Sequence, residues 1–269
     1  MSDSTDRNTV VEFTWGEYLS SLQGVDKYHH HSQSDWTDDE SWDSAKEKMH
    51  SGDDAYVSMA SELLDKLQDI TDGVPARQWT PSPMGAFPVV PEFLMGLPMC
   101  MRAMAPSGDL APMRIIISST CSGGIDKQTM TKRGAAILAL LQKLQAIRPI
   151  ELVILVEGNE GGRDRKNLFQ LIKVDTKPLS IAHACFAIAN VGFARQLTYG
   201  HMHHYHGWDG GWPADYNRSG YDQLVREACG FSPEDLWIKS SYLEDSLLAS
   251  DPVKWVNEQL ARYAPTAAE

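Results

Sequence analysis

The stretch between residues 114 and 156 constrains the fold most. Arg114-Ile115-Ile116-Ile117-Ser118 is a short β-branched run, and Ile150 through Val156 is a second. Apolar runs of this length, bounded by turn residues, are strands buried on both faces. Between them Ile137, Leu140, Leu141, Leu144 and Ile147 recur at helical spacing, so 127–147 is an amphipathic helix that Pro149 stops. Strand, crossover helix and strand make a βαβ unit, which requires a parallel pair and a right-handed crossover. The alternation continues downstream. Residues 169–174 are expected as a strand, 180–189 as a helix apolar on every side, and 195–199 as another strand. A helix over 221–228 closed by Gly230 follows, then Leu236-Trp237-Ile238 as a short strand. Asp251 caps a last helix that opens on Pro252 and runs to about Tyr263. The expected fold class is α/β: a Rossmann-like, mainly parallel sheet flanked by helices.

Charge divides the chain. The formal net charge is −12, and residues 1–75 hold 17 acidic and 5 basic side chains, while 76–269 hold 19 of each. Within the acidic part, Trp15, Tyr18, Leu19 and Leu22 suggest a short helix. Thr37 with Glu40 has the spacing of a capping box, and Val57, Ala60, Leu63, Leu64 and Leu67 mark another helix. The expected organisation is an acidic helical extension over 1–75, a Pro-rich connecting segment over 76–112 and an α/β domain over 113–269. An acidic chain without a basic stripe is a poor partner for nucleic-acid phosphates and for anionic membrane surfaces. No apolar run reaches 18 residues, and Met1-Ser2-Asp3-Ser4-Thr5-Asp6 lacks the basic and apolar regions of an export signal. Cys100, Cys121, Cys185 and Cys229 are widely spaced with no CxxC pair, so a reduced, cytoplasmic protein is expected.

Open α/β sheets bind ligands at the carboxyl ends of their strands. Here that position reads Ser118-Ser119-Thr120-Cys121-Ser122-Gly123-Gly124, which has neither the ending of a phosphate-binding P-loop nor a dinucleotide fingerprint. Its hydroxyls can face a cation or an anion, or simply fill a tight turn. Cys121 beside a helix start has the setting of a nucleophile but no locatable histidine partner. Ser118-x-Thr120-x-Ser122, followed by a long helix and a second strand, resembles the opening of a von Willebrand factor A (vWA) domain. In that domain D-x-S-x-S begins the metal-ion-dependent adhesion motif. The phrases Val90-Pro91-Glu92-Phe93-Leu94-Met95-Gly96, Lys132-Arg133-Gly134-Ala135-Ala136 and Asp251-Pro252-Val253-Lys254-Trp255-Val256, and the stretch from Trp42 to Leu67, are similar to an uncharacterised, mainly phage-encoded family of vWA-like proteins. The resemblance implies a vWA-like sheet, Ser180 in the place of the motif's later Thr, and no particular reaction. Ser118 stands where the motif has Asp. A divalent cation wants at least one carboxylate to offset dehydration, so no resident cofactor and at most weak cation binding are expected.

His201-Met202-His203-His204-Tyr205-His206-Gly207-Trp208-Asp209 is the second constellation. On a strand, His201 and His203 would share one face and His204 and His206 the other, a workable geometry for zinc, nickel or iron with Asp209 or Asp215 adding a carboxylate. The alternative is that these rings pack with Trp208, Trp212 and Tyr216. His29-His30-His31 are expected as loop residues, and 157–166 as a solvated hairpin or long loop. Trp208, Trp212, Tyr216 and Tyr221, with Arg218 nearby, either close over the sheet edge or form an interaction surface. The expected function is a non-enzymatic, vWA-like module with a degenerate adhesion motif. It would act in the cytoplasm of a phage-infected host and bind a protein partner through the sheet top and the aromatic loop. Two alternatives stand beside it: a metal-dependent enzyme built on His201–Asp209, and an acidic decoy that mimics nucleic-acid charge through residues 1–75.

Overall fold

A computed structural model describes residues 7–25, 40–53, 55, 57–66, 78–82, 87–105, 112–120, 125–160, 166–176, 179–207, 212–213, 220–239, 248 and 250–263. The architecture is α/β, a mixed and mostly parallel sheet flanked by helices. The βαβ unit appears where the pattern demands it. Strand β5 (Met113–Ser118; β1 to β4 are placed below) leads into α5 (Lys127–Ile147) and returns as β6 (Ile150–Glu160), parallel to β5. Asp126 caps α5 by accepting from Thr129 N at 2.7 Å. β6 then folds back as an antiparallel hairpin onto β7 (Lys166–Val174), with Glu160 opposite Lys166. β9 (Leu236–Ile238) pairs parallel to β5 on its other side.

The other edge is β1 (Arg7–Thr14), parallel to β7 in register from Arg7↔Lys166 to Thr14↔Lys173. The strand order is therefore β1-β7-β6-β5-β9, and β8 (Trp212–Pro213) pairs with β6 beyond the end of β5. β1 escaped the sequence reading because it is an edge strand. Val11 and Phe13 pack against the core, whereas Val10 and Glu12 on its other face are exposed.

One face of the sheet carries most of the core. Ile115, Ile117, Leu152, Ile154, Leu168 and Ile172 meet α5, α6 (Ile181–Ala189) and α9 (Pro252–Tyr263). The same cluster contains Trp15 and Tyr18 of α1 (Trp15–Ser21), Trp42, Ala45 and Met49 of α2 (Trp42–Ser51), and Ala60 of α3 (Val57–Lys66). The described part of 1–75 thus adds a strand and three helices to this core. On the opposite face Ile116, Val153, Leu155, Phe169 and Leu171 are covered by α8 (Tyr221–Cys229) with Phe231 and Trp237.

One sequence expectation, the strand over 195–199, is overturned, and the structure adds detail at three other places. Helix α2 is capped by Ser41, whose Oγ accepts from Ser44 N at 3.1 Å, and the expected cap Thr37 lies outside the described residues. Glu40 instead accepts from Ser44 Oγ and pairs with Lys48 at 2.9 Å. Residues 195–199 are not a strand. They belong to a π-helical turn (Phe193–Leu197) that runs into α7 (Thr198–His206). Packing overrides local propensity there, because a Cβ on Gly200 would lie 2.7 Å from the Trp42 ring. Over 157–166, expected as a solvated hairpin or long loop, the hairpin forms, but Glu157 to Glu160 continue β6 with Glu157 and Asn159 buried instead of solvated. Finally, the Pro-rich segment holds a small antiparallel sheet, order β2-β4-β3, of β2 (Gln78–Ser82), β3 (Phe87–Pro88) and β4 (Met101–Ala105). Its prolines Pro81 and Pro88 sit in the two edge strands, the positions in a sheet that tolerate proline. Between β3 and β4 lies the short helix α4 (Val90–Leu94).

Candidate functional site

At the carboxyl end of β5 the expected hydroxyls turn inward. Ser118 is fully buried, and its Oγ accepts from Trp237 Nε1 at 3.1 Å. Thr120 is buried too. Its Oγ1 accepts from Glu157 N at 2.8 Å and donates to Glu157 O at 3.4 Å, clamping β6 where β5 has ended. Arg133 reaches from α5 to donate to Ser118 O at 3.2 Å and Lys239 O at 2.7 Å, tying the ends of β5 and β9 together. Ser180 caps α6, with its Oγ accepting from His183 N at 3.4 Å. Cys121 and Ser122 lie outside the described residues.

Ser118 and Thr120 converge on a residue expected in a solvated hairpin or long loop. Glu157 is fully buried on the α8 side of the sheet. Tyr221 OH donates to its Oε1 at 3.2 Å, while Oε2 has no hydrogen-bond partner among the described residues. Burial pushes this carboxyl up to about 7. The Ser118 and Tyr221 hydroxyls and Arg133 pull against that rise, and the Asp222 charge adds to it. The group therefore exchanges a proton near neutral pH, but inside a closed shell. Next to it, Asn159 Nδ2 donates to Asn167 Oδ1 at 2.8 Å and Asn167 Nδ2 to Asn8 Oδ1 at 2.7 Å, a ladder across three strands. The legible signal for Glu157 and Asn159 is their period-2 continuation of Val153 and Leu155 onto the same face.

The histidines lie on a helix, not a strand, which changes who faces whom. His201 is buried between Phe13, Tyr18 and Tyr205. Gln170 Nε2 lies 3.0 Å from its Nδ1, and Ser21 Oγ lies 2.9 Å from its Nε2. An amide nitrogen only donates, so Nδ1 accepts and Nε2 carries the proton; Ser21 Oγ passes its own hydrogen to Tyr18 O at 2.6 Å. Both ring nitrogens are thereby engaged. Burial, with the His206 and His204 charges, pulls His201 down to about 4. His203 and His204 are exposed and His206 is half-buried. Among the described residues no group of three His, Cys, Asp or Glu is placed to hold a metal ion. Asp209, Asp215, Trp208, Tyr216, Arg218 and His29-His30-His31 lie outside the described residues. Trp212 is placed by its backbone alone, opposite Asn159.

Among the described residues the most exposed apolar surface is elsewhere, on the excursion between β3 and β4. Val90, Phe93, Leu94 and Met95 are 59%, 57%, 78% and 67% exposed, and Leu97 and Met99 are nearly half exposed. Val89 N donates to Cys100 O at 2.7 Å and closes the base of this excursion. Inside it, Phe93 N donates to Val89 O, Met95 N to Pro91 O and Leu97 N to Glu92 O. Gly96 makes the turn at φ +69. Sequence reading quoted part of this segment only as a family phrase. The signal it carried was a run from Val89 to Met101 in which the one ionisable side chain besides Cys100 is Glu92.

A surface cavity of about 310 Å³ lies between α3, α5 and α9, lined by Met59, Leu63 and Pro252 with Lys66 and Lys132 at its rim. No helix among the described residues is long and apolar enough to cross a membrane. A family model described as a domain of unknown function (DUF7192) matches residues 8–246. No curated protein and no solved structure matches the chain.

Proposed function

The chain belongs to the DUF7192 family, a domain of unknown function, and for it we propose a role in protein contact. It is a non-enzymatic, vWA-like interaction module whose partner-binding surface is the apolar segment 90–99. The observation that carries this reading is the exposure of Val90, Phe93, Leu94, Met95, Leu97 and Met99 within ten residues. Single exposed apolar residues need no explanation, but a contiguous cluster is the ordinary mark of an interaction site. Two leucines and two methionines within 94–99 add an adaptable surface suited to a protein partner. The order of the Ser118 strand, long helix and parallel return strand supports the vWA-like part. The cytoplasm of a phage-infected host, as the place of action, rests on the sequence resemblance alone.

The sheet top is assigned a structural part in this reading, since Ser118 and Thr120 spend their hydroxyls on Trp237 and Glu157. Affinity capture with the full chain, compared with a Phe93→Ser/Leu94→Ser variant, tests the proposal. Both side chains are exposed, so the variant keeps its circular dichroism and melting temperature. Proteins captured by the wild type and absent from the variant support the reading. Identical capture by both refutes it.

A further inference from the structure

Glu157 is fully buried, and its Oε2 meets no hydrogen-bond donor among the described residues. The polar groups around it have other work. Thr120 spends its hydroxyl on the Glu157 backbone, and Arg133 donates to the carbonyls of Ser118 and Lys239. Tyr221 OH serves Oε1, and the Ser118 hydroxyl faces the same carboxyl. A neutral acid tolerates one unmatched oxygen at modest cost, whereas a buried carboxylate without a donor on that oxygen is far more costly. Ionisation therefore favours a rearrangement that brings Oε2 to water.

How each wall is held decides which one yields. On the sheet side, Thr120 Oγ1 holds both Glu157 N and Glu157 O, and Arg133 ties the ends of β5 and β9. The ladder of Asn159, Asn167 and Asn8 joins β6 to β7 and β1. The far end of α8 is anchored as well. Val225 is fully buried, Arg226 donates to Ser232 O at 3.0 Å, and its guanidinium lies over the Trp237 ring. The first turn of α8 is held differently. Its N-cap is Gly220, at φ +80, which brings no side chain to cap the helix. Tyr221 reaches down to Glu157, and Asp222 forms an exposed ion pair with Lys239 beyond β9. The charges that bear on Glu157 divide in the same way. Arg133, on the fixed side, attracts the carboxylate, and Asp222, on the first turn, repels it. Further along α8 burial keeps Cys229 a neutral thiol, and β5 and β7 present uncharged Ser118, Thr120, Phe169 and Asn167.

We propose that the first turn of α8 is a proton-latched lid over the carboxyl end of β5. Tyr221 rests on Glu157 while that carboxyl is protonated. Loss of the proton to solvent raises the population in which the turn lifts at Gly220 and water reaches Oε2. The lifted turn uncovers the end of the sheet at which open α/β folds take ligands.

Hydrogen exchange of the full chain, read by mass spectrometry, is compared at pH 5 and pH 8 in wild type, Glu157→Gln and Tyr221→Phe. The ratio of protection over 221–229 to protection over 135–144 of α5 cancels the intrinsic pH dependence of exchange. In wild type that ratio is expected to fall at least about tenfold from pH 5 to pH 8. The closed turn holds the proton to about 7, and the lifted turn releases it at the ordinary carboxyl value. In Glu157→Gln the ratio is expected to stay constant. Tyr221→Phe keeps the ring and removes the latch hydroxyl, so its ratio at pH 5 is expected to be about fivefold below wild type. A wild-type ratio equal at both pH values overturns the lid, because the whole core and not the turn then responds. An equal fall in folded Glu157→Gln overturns Glu157 as the latch, and an unchanged ratio in Tyr221→Phe overturns Tyr221 as its partner. The wild-type ratio and Tyr221→Phe decide the proposal without Glu157→Gln if that variant does not fold.

Discussion

Two buried titratable residues on opposite faces of the sheet give the fold opposed responses to pH. Glu157 holds its proton to about 7 against an ordinary value of 4.5. Between those values the native state binds more protons than the unfolded chain, so this group's contribution falls as pH rises through that window. Glu157→Gln removes the effect. Its stability relative to wild type is expected to improve by about 3 kcal/mol between pH 4.5 and pH 8, read from urea unfolding at each pH. His201 is pulled from 6.5 to about 4, so its contribution is present above 6.5 and is lost as pH falls toward 4. His201→Gln, compared with wild type, gains on the order of 2 kcal/mol over that descent, whatever its fixed packing loss. In the shared window from about 4.5 to 6.5 the two slopes cancel, so each single variant exposes the other group's slope. For Glu157 the period-2 signal was present but outweighed by its glycine-rich neighbours, and for His201 the sequence carried no signal. A Glu beside Gly-Asn-Glu-Gly-Gly reads as a loop, and one histidine among four gives no sign of which ring turns inward. Burial was decided by strand and helix phase, which the hairpin and the π-turn set.

At the scale of elements, long periodic segments were legible and packed short ones were not. The α5 helix and the strands β5 and β9 follow from spacing and β-branching alone, because their burial is written into the residues themselves. Ser180, Asp251 and Gly230 are found at the helix ends where local capping rules put them. The π-turn and α7 were missed because Thr198 and Tyr199 favour strands, whereas the segment is a helix packed closely enough that Gly200 lies against the Trp42 ring. The small sheet was missed because prolines in edge strands look like a linker. Close approach explains a glycine inside α5. A Cβ on Gly134 would stand 2.3 Å from Ala189 Cβ at the crossing with α6. Gly134→Ala is therefore expected to destabilise by about 1–3 kcal/mol despite Ala's better helix propensity, measured as a lowered urea midpoint with unchanged slope.

For the molecule as a whole, the net charge of −12 still belongs to the first 75 residues, but the described part of that region is built into the sheet and the larger core. Composition could separate the charge from the neutral remainder; it could not say that Tyr18, Leu22, Ala45 and Met49 sit at the centre of the molecule. A chain starting at residue 76 would lose the β1 edge and expose the faces of α5, α6 and β7 that these side chains cover. It is expected to show no cooperative thermal transition, and a sharp transition close to that of the full chain would contradict this. The charge therefore belongs in part to elements that build the core, whereas segment 90–99 holds one carboxylate, Glu92, and no cation. The part of segment 90–99 in binding is tested most directly by methionine-methyl NMR on the full chain, titrated with the captured partner. The account predicts that the Met95 and Met99 methyl resonances shift or broaden while those of the buried Met49 and Met113 stay in place. Unchanged Met95 and Met99 signals at saturation would contradict it.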